Sequence, residues 1–244
     1  MKRTNYTRRY QSEFNWYRIL AQFRAIFTIC LPFWCLFYKI EVTGRENIPK
    51  DRKVILTANH ISYFDPFLVF MVTCRPVAFM AKKELFERSS KNTLKARLLD
   101  NWRINWLDAL GAFSVNREKL EVSTIKTARD VLKTKRWTLG IFPQGGIRKN
   151  KRIENVNKGF IALAKMVGVD ILPIGISGCE TYNWNFWHKG KIRVNIGTPI
   201  SHKQDADEIL SQWAHAVAEL CDYECAIEEP KEEVAAQQTG LNKA

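Results

Sequence analysis

Beyond residue 38, segments with strand character alternate with segments of helical character, and this alternation limits the possible folds more than any other feature. Short runs of apolar and β-branched residues predict strands at 39–43, 54–58, 77–80, 112–115, 137–142, 171–176 and 192–196. Apolar periodicity and end signals predict helices at 66–73, 94–107, 120–135, 158–167 and 206–225. Because helices usually connect parallel strands, we expect an α/β fold with a largely parallel or mixed sheet flanked by helices.

The ends of the chain differ from this central part. We assign residues 1–38 to a basic N-terminal helical segment, 39–226 to the main domain and 227–244, which are polar, to a mobile tail. In the N-terminal segment, arginines surround Trp16, Tyr17, Phe23 and Phe27, a mixture typical of a helix that lies in a lipid headgroup layer. Its apolar run at 25–38 is shorter than the roughly 20 residues that span a bilayer. The segment therefore predicts a helix that associates with a membrane, or one that merely packs on the domain.

The charge of the chain calls for an anionic partner. A formal net charge of +13 and a pI of about 9.5 suit a membrane surface, a nucleic acid or an acidic carrier protein. No helix-turn-helix, zinc-finger or RNA-recognition signature is present, so we expect no nucleic acid and keep a basic nucleic-acid-binding module only as an alternative. The 6 cysteines lack zinc-ligand spacing and predict reduced thiols on the cytoplasmic side, with no metal site.

A histidine and an aspartate stand at the junction between a predicted strand and a predicted helix. Residues 54–58 form a short buried strand, and Asp65 followed by Pro66 has the form of a helix start with Asp65 as the N-cap. His60 then lies at the carboxyl end of a strand, where open α/β sheets place their chemistry. A neutral imidazole can accept a proton from a hydroxyl while a carboxylate orients its other nitrogen. The alternative is that Asp65 only caps the helix and His60 is an ordinary loop residue.

Further signals follow in a fixed order. They are His60-x4-Asp65, the segment 111–117 (Gly-Ala-Phe-Ser-Val-Asn-Arg), the segment 142–146 (Phe-Pro-Gln-Gly-Gly), Lys-Gly-Phe at 158–160 and Ile-Leu-Pro-Ile at 171–174. In order and spacing they resemble the motifs of the glycerolipid acyltransferase family, which includes the lysophosphatidate acyltransferases. Residues 42–49 are similar to the family's entry strand and turn. The resemblance extends from about residue 42 to residue 200.

The resemblance implies an activity and its partners. It makes residues 39–226 an acyltransferase domain, associated with the cytoplasmic face of a membrane, that moves a fatty acyl group onto the hydroxyl of a lysophospholipid. Lysophosphatidate is the expected acceptor, membrane lipids are the expected partners, and acyl-CoA or acyl carrier protein is the expected co-substrate. By the same resemblance His60 is the general base, Asp65 orients it and Asn59 positions the loop. A thioester is already activated, so no cofactor, metal or covalent enzyme intermediate is needed.

Substrate contacts are expected from the second and third motifs. Arg117 suits bidentate binding of an acceptor phosphate, and Gly111 permits close approach of a ligand to the backbone. Gly145 and Gly146 offer backbone N–H groups to an oxyanion or a phosphate, or simply form a tight turn.

The third motif departs from the family pattern, Phe-Pro-Glu-Gly-Thr-Arg. Here Gln144, Gly146 and Ile147 replace its Glu, Thr and Arg. Either the following Arg148, or one of the cations close behind it, takes over phosphate binding, or the acceptor carries no phosphate. In the second case Gln144 would contact a polyol such as a lysoglycolipid or a glycosylated carotenoid. A non-catalytic lipid-binding relative is a further alternative.

Other residues have weaker assignments. The aromatic stretch at 184–187 is either a loop that dips into a membrane or a buried cluster. His188, His202 and His215 share no spacing with a carboxylate and are expected in core or surface roles. Cys221 and Cys225, one helical turn apart in the predicted helix, are expected to pack in the core.

Overall fold

The central element of the protein is a seven-stranded sheet. The computed structural model describes residues 16–24, 27–28, 31–89, 93–109, 111–115, 122–134, 137–181, 187 and 189–228. The strands of the sheet are β1 (Tyr38–Thr43), β2 (Val54–Ala58), β3 (Val77–Lys82), β4 (Ala112–Val115), β5 (Thr138–Ile141), β7 (Asp170–Ser177) and β8 (Gly190–Ile196). Their spatial order is β1-β8-β7-β2-β5-β3-β4, and those from β7 to β4 are mutually parallel, whereas β8 is antiparallel to β7. The predicted α/β fold with a largely parallel sheet is confirmed.

Helices cover both faces of this sheet. They are α1 (Trp16–Arg24), α2 (Leu31–Phe37), α3 (Asp65–Thr73), α4 (Leu94–Ala109), α5 (Val122–Lys133), α6 (Gly159–Val167) and α7 (Ala206–Cys221). Two short 3-10 helices lie at Arg45–Asn47 and Lys83–Phe86. A small parallel ladder, β6 (Arg152–Ile153) with β9 (Glu224–Cys225), was not predicted. It pairs two loop segments that show no strand periodicity on their own.

Successive residues of a strand point to opposite faces, and this divides the core into two layers. Ile55 packs with α5, α6 and α7, whereas Val54 and Leu56 pack with α3. Every residue of β2 is buried, which explains why its sequence is apolar almost throughout. On the α7 side, Trp213 Nε1 donates a 2.7 Å hydrogen bond to Thr57 Oγ1, so the polar residue of β2 is also satisfied.

The parallel strands give the sheet two chemically distinct edges. We call the edge at the carboxyl ends of β7, β2, β5, β3 and β4 the carboxyl edge, and the opposite one the amino edge. His60 follows β2 and Gln144 follows β5, so both lie at the carboxyl edge. Gly111 precedes β4 and Asp170 begins β7, so both lie at the amino edge. This separation decides which of the predicted site residues can meet.

The N-terminal helix α1 is attached to the amino edge. Gln22 is 1% exposed, its Nε2 donates to Val77 O at 2.9 Å and its Oε1 accepts from Val77 N at 3.3 Å. The contacts of Gln22 show that α1 packs on the domain, which is one of the two alternatives for this segment. None of the helices in the described part of the chain is long and apolar enough to cross a membrane.

Two other details correct the sequence analysis. Helix α7 ends at Cys221 with Asp222 in a left-handed conformation (φ 59°), and Cys225 lies in β9. Cys221 and Cys225 are therefore not one helical turn apart, although Cys221 is buried as expected. Trp187 is 82% exposed and not part of a buried cluster, while residues 182–186 and 188 lie outside the described residues. The predicted tail at 227–244 lies outside them from residue 229 onward.

Candidate active site

His60 and Asp65 are in direct contact at the carboxyl edge. His60 Nδ1 lies 2.6 Å from Asp65 Oδ2, and the His60 side chain keeps 16% of its surface exposed while Asp65 is fully buried. Because an ionised carboxylate only accepts hydrogen bonds, Nδ1 carries the proton and Nε2 presents its lone pair. Among the described residues, none forms a hydrogen bond with Nε2. The pair is thus arranged to accept a proton at a solvent-accessible nitrogen.

The carboxylate of Asp65 is held by the loop that precedes its own helix. Oδ2 accepts hydrogen bonds from Ile61 N at 2.7 Å and Ser62 N at 2.9 Å, and the Cys179 thiol lies 3.9 Å from Oδ1. Burial raises the pKa of the Asp65 carboxyl, and the His60 ring and the two amides oppose that rise. Helix α3 begins at Asp65 with Phe64 as the N-cap, so the expectation that Asp65 is the N-cap was wrong. Its carboxylate turns back to the loop instead.

Phe142 fixes the plane of the imidazole. The His60 and Phe142 rings stack with centroids 4.4 Å apart and an interplanar angle of 22°, and Phe142 stacks in turn on Phe79 at 5.7 Å. Phe142 follows β5 and Phe79 lies in β3, so the stack joins neighbouring strands. With Asp65 at one ring nitrogen and Phe142 on one face, the imidazole has a single orientation.

The third motif holds the backbone of His60. Gln144 is 4% exposed, its Oε1 accepts from His60 N at 3.2 Å and its Nε2 donates to Arg152 O at 3.3 Å. On the other side of the same residue, Arg148 N donates to His60 O at 2.7 Å. The oxygen and the nitrogen of the Gln144 amide thus each bind one main-chain group, and Gln144 clamps the backbone of His60. Its predicted contact with a substrate stays a prediction. The Arg148 side chain is exposed.

Asn59 is a second clamp. It is fully buried, with Nδ2 donating to Ile176 O and Oδ1 accepting from Ile176 N, both at 2.8 Å. These bonds tie the end of β2 to β7, so Asn59 positions the loop rather than contacting a ligand.

The two glycines of the third motif differ. Gly145 has φ +68°, and its N–H donates to Phe142 O at 3.0 Å in a tight turn. Among the described residues, none accepts a hydrogen bond from Gly146 N–H, and a Cβ at Gly146 would meet nothing within 4 Å. Of the two predicted N–H donors, Gly146 is the one that is free to serve an oxyanion.

The second motif is split between the two edges. Gly111 has φ +73°, and a Cβ there would lie 2.6 Å from Val77 O and 2.9 Å from the Trp137 ring. This close packing at the amino edge requires a glycine at position 111, and Gly111 is buried at the edge opposite His60. Its predicted contact with a substrate stays a prediction. Arg117 follows β4 in the sequence and lies outside the described residues. Its predicted phosphate contact stays a prediction.

Sequence reasoning missed a second histidine–aspartate pair. His202 Nδ1 lies 2.7 Å from Asp170 Oδ1, and Arg52 Nη1 lies 2.7 Å from Asp170 Oδ2. No spacing rule connects residues 32 positions apart, and only the return of the chain at the amino edge joins them. Within the described part of the chain, no group of three or more His, Cys, Asp or Glu residues could hold a metal ion.

Comparison with known proteins places this arrangement in a family. The family model described as Acyltransferase matches residues 39–177, more than half of the 244-residue chain, and includes His60, Asp65 and Gln144. The chain belongs to the acyltransferase family.

Several acyltransferases are similar to this chain. A 1-acyl-sn-glycerol-3-phosphate acyltransferase of Streptococcus pneumoniae is 30% identical over 174 residues, covering 70% of this chain and 60% of that protein. One of Bacillus subtilis is 28% identical, covering 71% of this chain and 79% of that protein. The crystal structure of the 1-acyl-sn-glycerophosphate acyltransferase PlsC from Thermotoga maritima shares the fold, with a TM-score of 0.57, 24% identity, and coverage of 88% of this chain and 91% of that one. The chain spans about 60% of the length of the first of these relatives.

Proposed function

We propose that this protein is an O-acyltransferase that moves a fatty acyl group from an acyl thioester, acyl-CoA or acyl carrier protein, to the hydroxyl of lysophosphatidate. The observation that carries the proposal is the His60–Asp65 pair, with 2.6 Å between Nδ1 and Oδ2 and a fully buried carboxylate. The names of the S. pneumoniae and B. subtilis relatives supply the class of acceptor. In this proposal His60 is the general base and Asp65 its orienting partner.

The chemistry needs one proton acceptor and one group that stabilises negative charge. The acceptor's hydroxyl oxygen attacks the thioester carbonyl carbon while its proton passes to His60 Nε2. The tetrahedral oxyanion collapses by breaking the carbon–sulfur bond, and the departing thiolate takes the proton from Nε2. Asp65 stays ionised throughout and stabilises the imidazolium that exists between the two transfers. Gly146 N–H is the candidate donor to the oxyanion, since Gly145 N–H is already bonded to Phe142 O.

The acceptor's headgroup depends on the cations of the carboxyl edge. Ile147 cannot bind a phosphate, but the exposed Arg148 and Lys149 follow it in the same loop. Gln144 was the residue expected to contact a neutral polyol, but it is 4% exposed and its oxygen and its nitrogen each bind one main-chain group. The exposed cations therefore favour a phosphate-bearing acceptor over a neutral one such as a lysoglycolipid or a glycosylated carotenoid.

The test is product analysis with a matched histidine control. Purified protein is incubated with labelled acyl-CoA, or acyl carrier protein, and a panel of lysophosphatidate, monoacylglycerol and lysoglycolipid, and the products are identified by mass spectrometry. We expect phosphatidate, and His60→Ala should lower its formation by about 10²–10⁴-fold. His202→Ala removes the other carboxylate-paired imidazole, at the amino edge, and should leave turnover unchanged. Equal losses in the two variants would contradict the assignment of His60.

The headgroup is tested separately with the predicted phosphate-binding cations. Charge-assisted hydrogen bonds contribute about 1.5–3 kcal/mol each, so Arg117→Ala or Arg148→Ala should raise the KM for lysophosphatidate roughly tenfold or more. The KM for monoacylglycerol should not change. If a neutral acceptor is the better substrate and both variants use it normally, the acceptor carries no phosphate. The proposal of acyl transfer with His60 as general base would still hold.

We also propose that the protein works at the cytoplasmic face of a membrane, because a long-chain lysophosphatidate resides there and the chain has a net charge of +13. Flotation with lipid vesicles tests whether the protein associates with a membrane.

A further inference from the structure

The first half of helix α4 turns its large apolar side chains to solvent: Leu94 is 74% exposed, Leu98 61%, Leu99 56% and Trp102 65%. Ile104 and Leu107, in the second half, are half-buried. The side that faces the domain carries a charged pair instead. Asp100 is 7% exposed, accepts from Ser89 N at 2.7 Å and pairs with Arg103 at 2.9 Å. The helix is thus anchored by polar contacts and presents its leucines outward.

These residues form one surface, the α4 apolar face, defined as Leu94, Leu98, Leu99 and Trp102, with the exposed Lys95 between Trp102 and Leu99 around the helix axis. Leu94, Leu98 and Trp102 are spaced i, i+4, i+8 and lie one above another, and Leu99 widens the arc to about 140°. An arc of this width normally faces a protein core. Exposed apolar surfaces of this kind are a recognised mark of interaction sites.

Cations lie both within and beside the α4 apolar face. Lys95 lies within its arc and Arg97 beside it, both exposed, and Lys82, Lys83 and Arg88 are exposed just before the helix. The nearby acids balance only part of this charge. Glu84 pairs with Lys82, Glu87 is exposed, and Asp100 is buried against Arg103. The surface therefore combines leucines and a tryptophan with lysine and arginine, the composition of helices that lie in the interface of an anionic membrane.

The position of the helix relates this surface to the active site. Strand β3 ends at the carboxyl edge and β4 starts at the amino edge, so α4 runs from the first to the second. The α4 apolar face occupies residues 94–102, about 12 Å at 1.5 Å per residue, in the half of the helix next to the carboxyl edge. A surface that received the leucines would therefore lie on the same side of the molecule as His60.

We propose that the α4 apolar face docks on the surface of an anionic phospholipid bilayer, with the leucines and Trp102 at the boundary between headgroups and acyl chains and the cations on lipid phosphates. This rests on the proposed function only in that the acceptor is a membrane lipid. A second copy of the chain is a poorer occupant, since a symmetric contact on this face would bury the Lys95 ammonium of both copies.

The experiment compares the full chain with surface variants in vesicle flotation. The vesicles are phosphatidylcholine alone or mixed with phosphatidylglycerol. L98Q/W102Q should lower the partition coefficient about tenfold or more, because two large apolar side chains no longer enter the lipid. M166Q is the matched control, since Met166 is 56% exposed on α6 and outside this face, and it should bind as the wild type does. K95Q/R97Q should weaken binding only to the vesicles that contain phosphatidylglycerol.

Activity separates this proposal from the proposed function. With a short-chain, monomeric lysophosphatidate, L98Q/W102Q should turn over as the wild type does, and it should be slower only with a vesicle-borne acceptor. If the wild type acylates no lyso-acceptor, the proposed function fails while flotation still tests the docking. Equal flotation of L98Q/W102Q and wild type overturns the docking. Two further results would overturn it. One is a wild-type dimer in sedimentation velocity that is lost in L98Q/W102Q, which would mean that a second copy covers the face. The other is a clear loss of thermal stability in L98Q/W102Q, which would mean that the protein itself covers the face.

Discussion

At the residue scale, the two histidine–aspartate pairs have nearly equal geometry but opposite electrostatics. Burial raises the pKa of Asp65 despite its hydrogen bonds. Burial also acts on Asp170, but the hydrogen bonds from His202 and the charge of Arg52 outweigh it and lower the pKa of that carboxyl. A carboxyl with a lowered pKa stabilises the fold above its unfolded pKa, and the stabilisation is lost as pH falls through the folded value. A carboxyl with a raised pKa contributes stability that is fully present below its unfolded pKa and is lost as pH rises through its folded pKa.

Asparagine substitutions should separate the two aspartates. Asp65→Asn should lower kcat by about 10²-fold or more, because an amide no longer fixes the His60 tautomer, with little loss of stability at neutral pH, since a buried charge is removed. Asp170→Asn should retain activity and lower the free energy of unfolding at neutral pH, by an amount that shrinks on acidification. Denaturant titrations at several pH values and initial rates check both. An active Asp65→Asn protein would remove Asp65 from the mechanism.

Lys53 is a second titrating residue with a structural role. It lies before β2, its Nζ donates to Trp137 O at 2.9 Å, and burial together with the charge of Arg75 lowers its pKa to about 8. Between pH 8 and the ordinary lysine pKa of 10.5, Lys53 is protonated in the unfolded chain but largely neutral in the folded one. The contribution of Lys53 to the free energy of unfolding therefore rises with pH across that range.

The expected signature is a difference between two stability curves. The free energy of unfolding of wild type minus that of Lys53→Met should increase from about pH 8 to roughly pH 10.4 and be flat below that range. Other lysines and tyrosines titrate in both proteins and cancel in the difference. A flat difference across the whole range would mean that the amine is solvated as in the unfolded chain.

At the scale of elements, the turn before β4 depends on Gly111. An alanine there would need a left-handed conformation and would place its Cβ 2.6 Å from Val77 O. Gly111→Ala should therefore destabilise the protein by about 2–4 kcal/mol, with kcat and KM of the folded fraction unchanged. Gly146→Ala is the matched control, because its Cβ meets nothing within 4 Å, and its free energy of unfolding should stay within about 0.5 kcal/mol of wild type. A raised KM in a stable Gly111→Ala protein would restore Gly111 to the substrate site.

The loop after β5 should resist return to the usual family residue. In Gln144→Glu the side chain still accepts from His60 N, but it can no longer donate to Arg152 O and instead sets a carboxylate against that carbonyl. Burial penalises the charged form, so Gln144→Glu should lower the melting temperature more at neutral than at acidic pH. Adding Ile147→Arg should recover part of the loss by pairing with the new carboxylate. Equal stability of Gln144→Glu and wild type at every pH would show that the clamp does not require the amide.

At the scale of the whole molecule, the net charge of +13 should make membrane binding depend on salt. The screening length falls from about 10 Å at 0.1 M to 3 Å at 1 M, so flotation with anionic vesicles should decrease over that range. It should not vanish, because the α4 apolar face contributes a part that salt does not screen. A nucleic-acid-binding module would instead show tight DNA binding with a steep salt dependence, and such binding at about 0.15 M would favour that alternative.

Much of the fold and one contact of the site could be predicted from local sequence. Strand and helix order follows from periodicity, which is written in neighbouring residues, and the observed elements lie within a few residues of the predicted ones. His60 and Asp65 are five residues apart across one strand–helix junction, so their meeting needed only that junction to form. The left-handed Gly168 that ends α6 is equally local.

What only the tertiary structure decided depends on segments distant in the chain. The direction and order of the strands decide which edge of the sheet a residue occupies. They place Gly111 at the edge opposite His60, and they place Cys179 beside Asp65, which is 114 positions away in the sequence. Gln144 and Asn59 became clamps because the peptide groups they bind arrive from other strands, and buried polar groups must find partners. The outward leucines of α4 lie opposite the buried Asp100, whose bonds to Ser89 N and Arg103 orient the helix. Periodicity identifies an apolar face, but only packing determines which way that face turns.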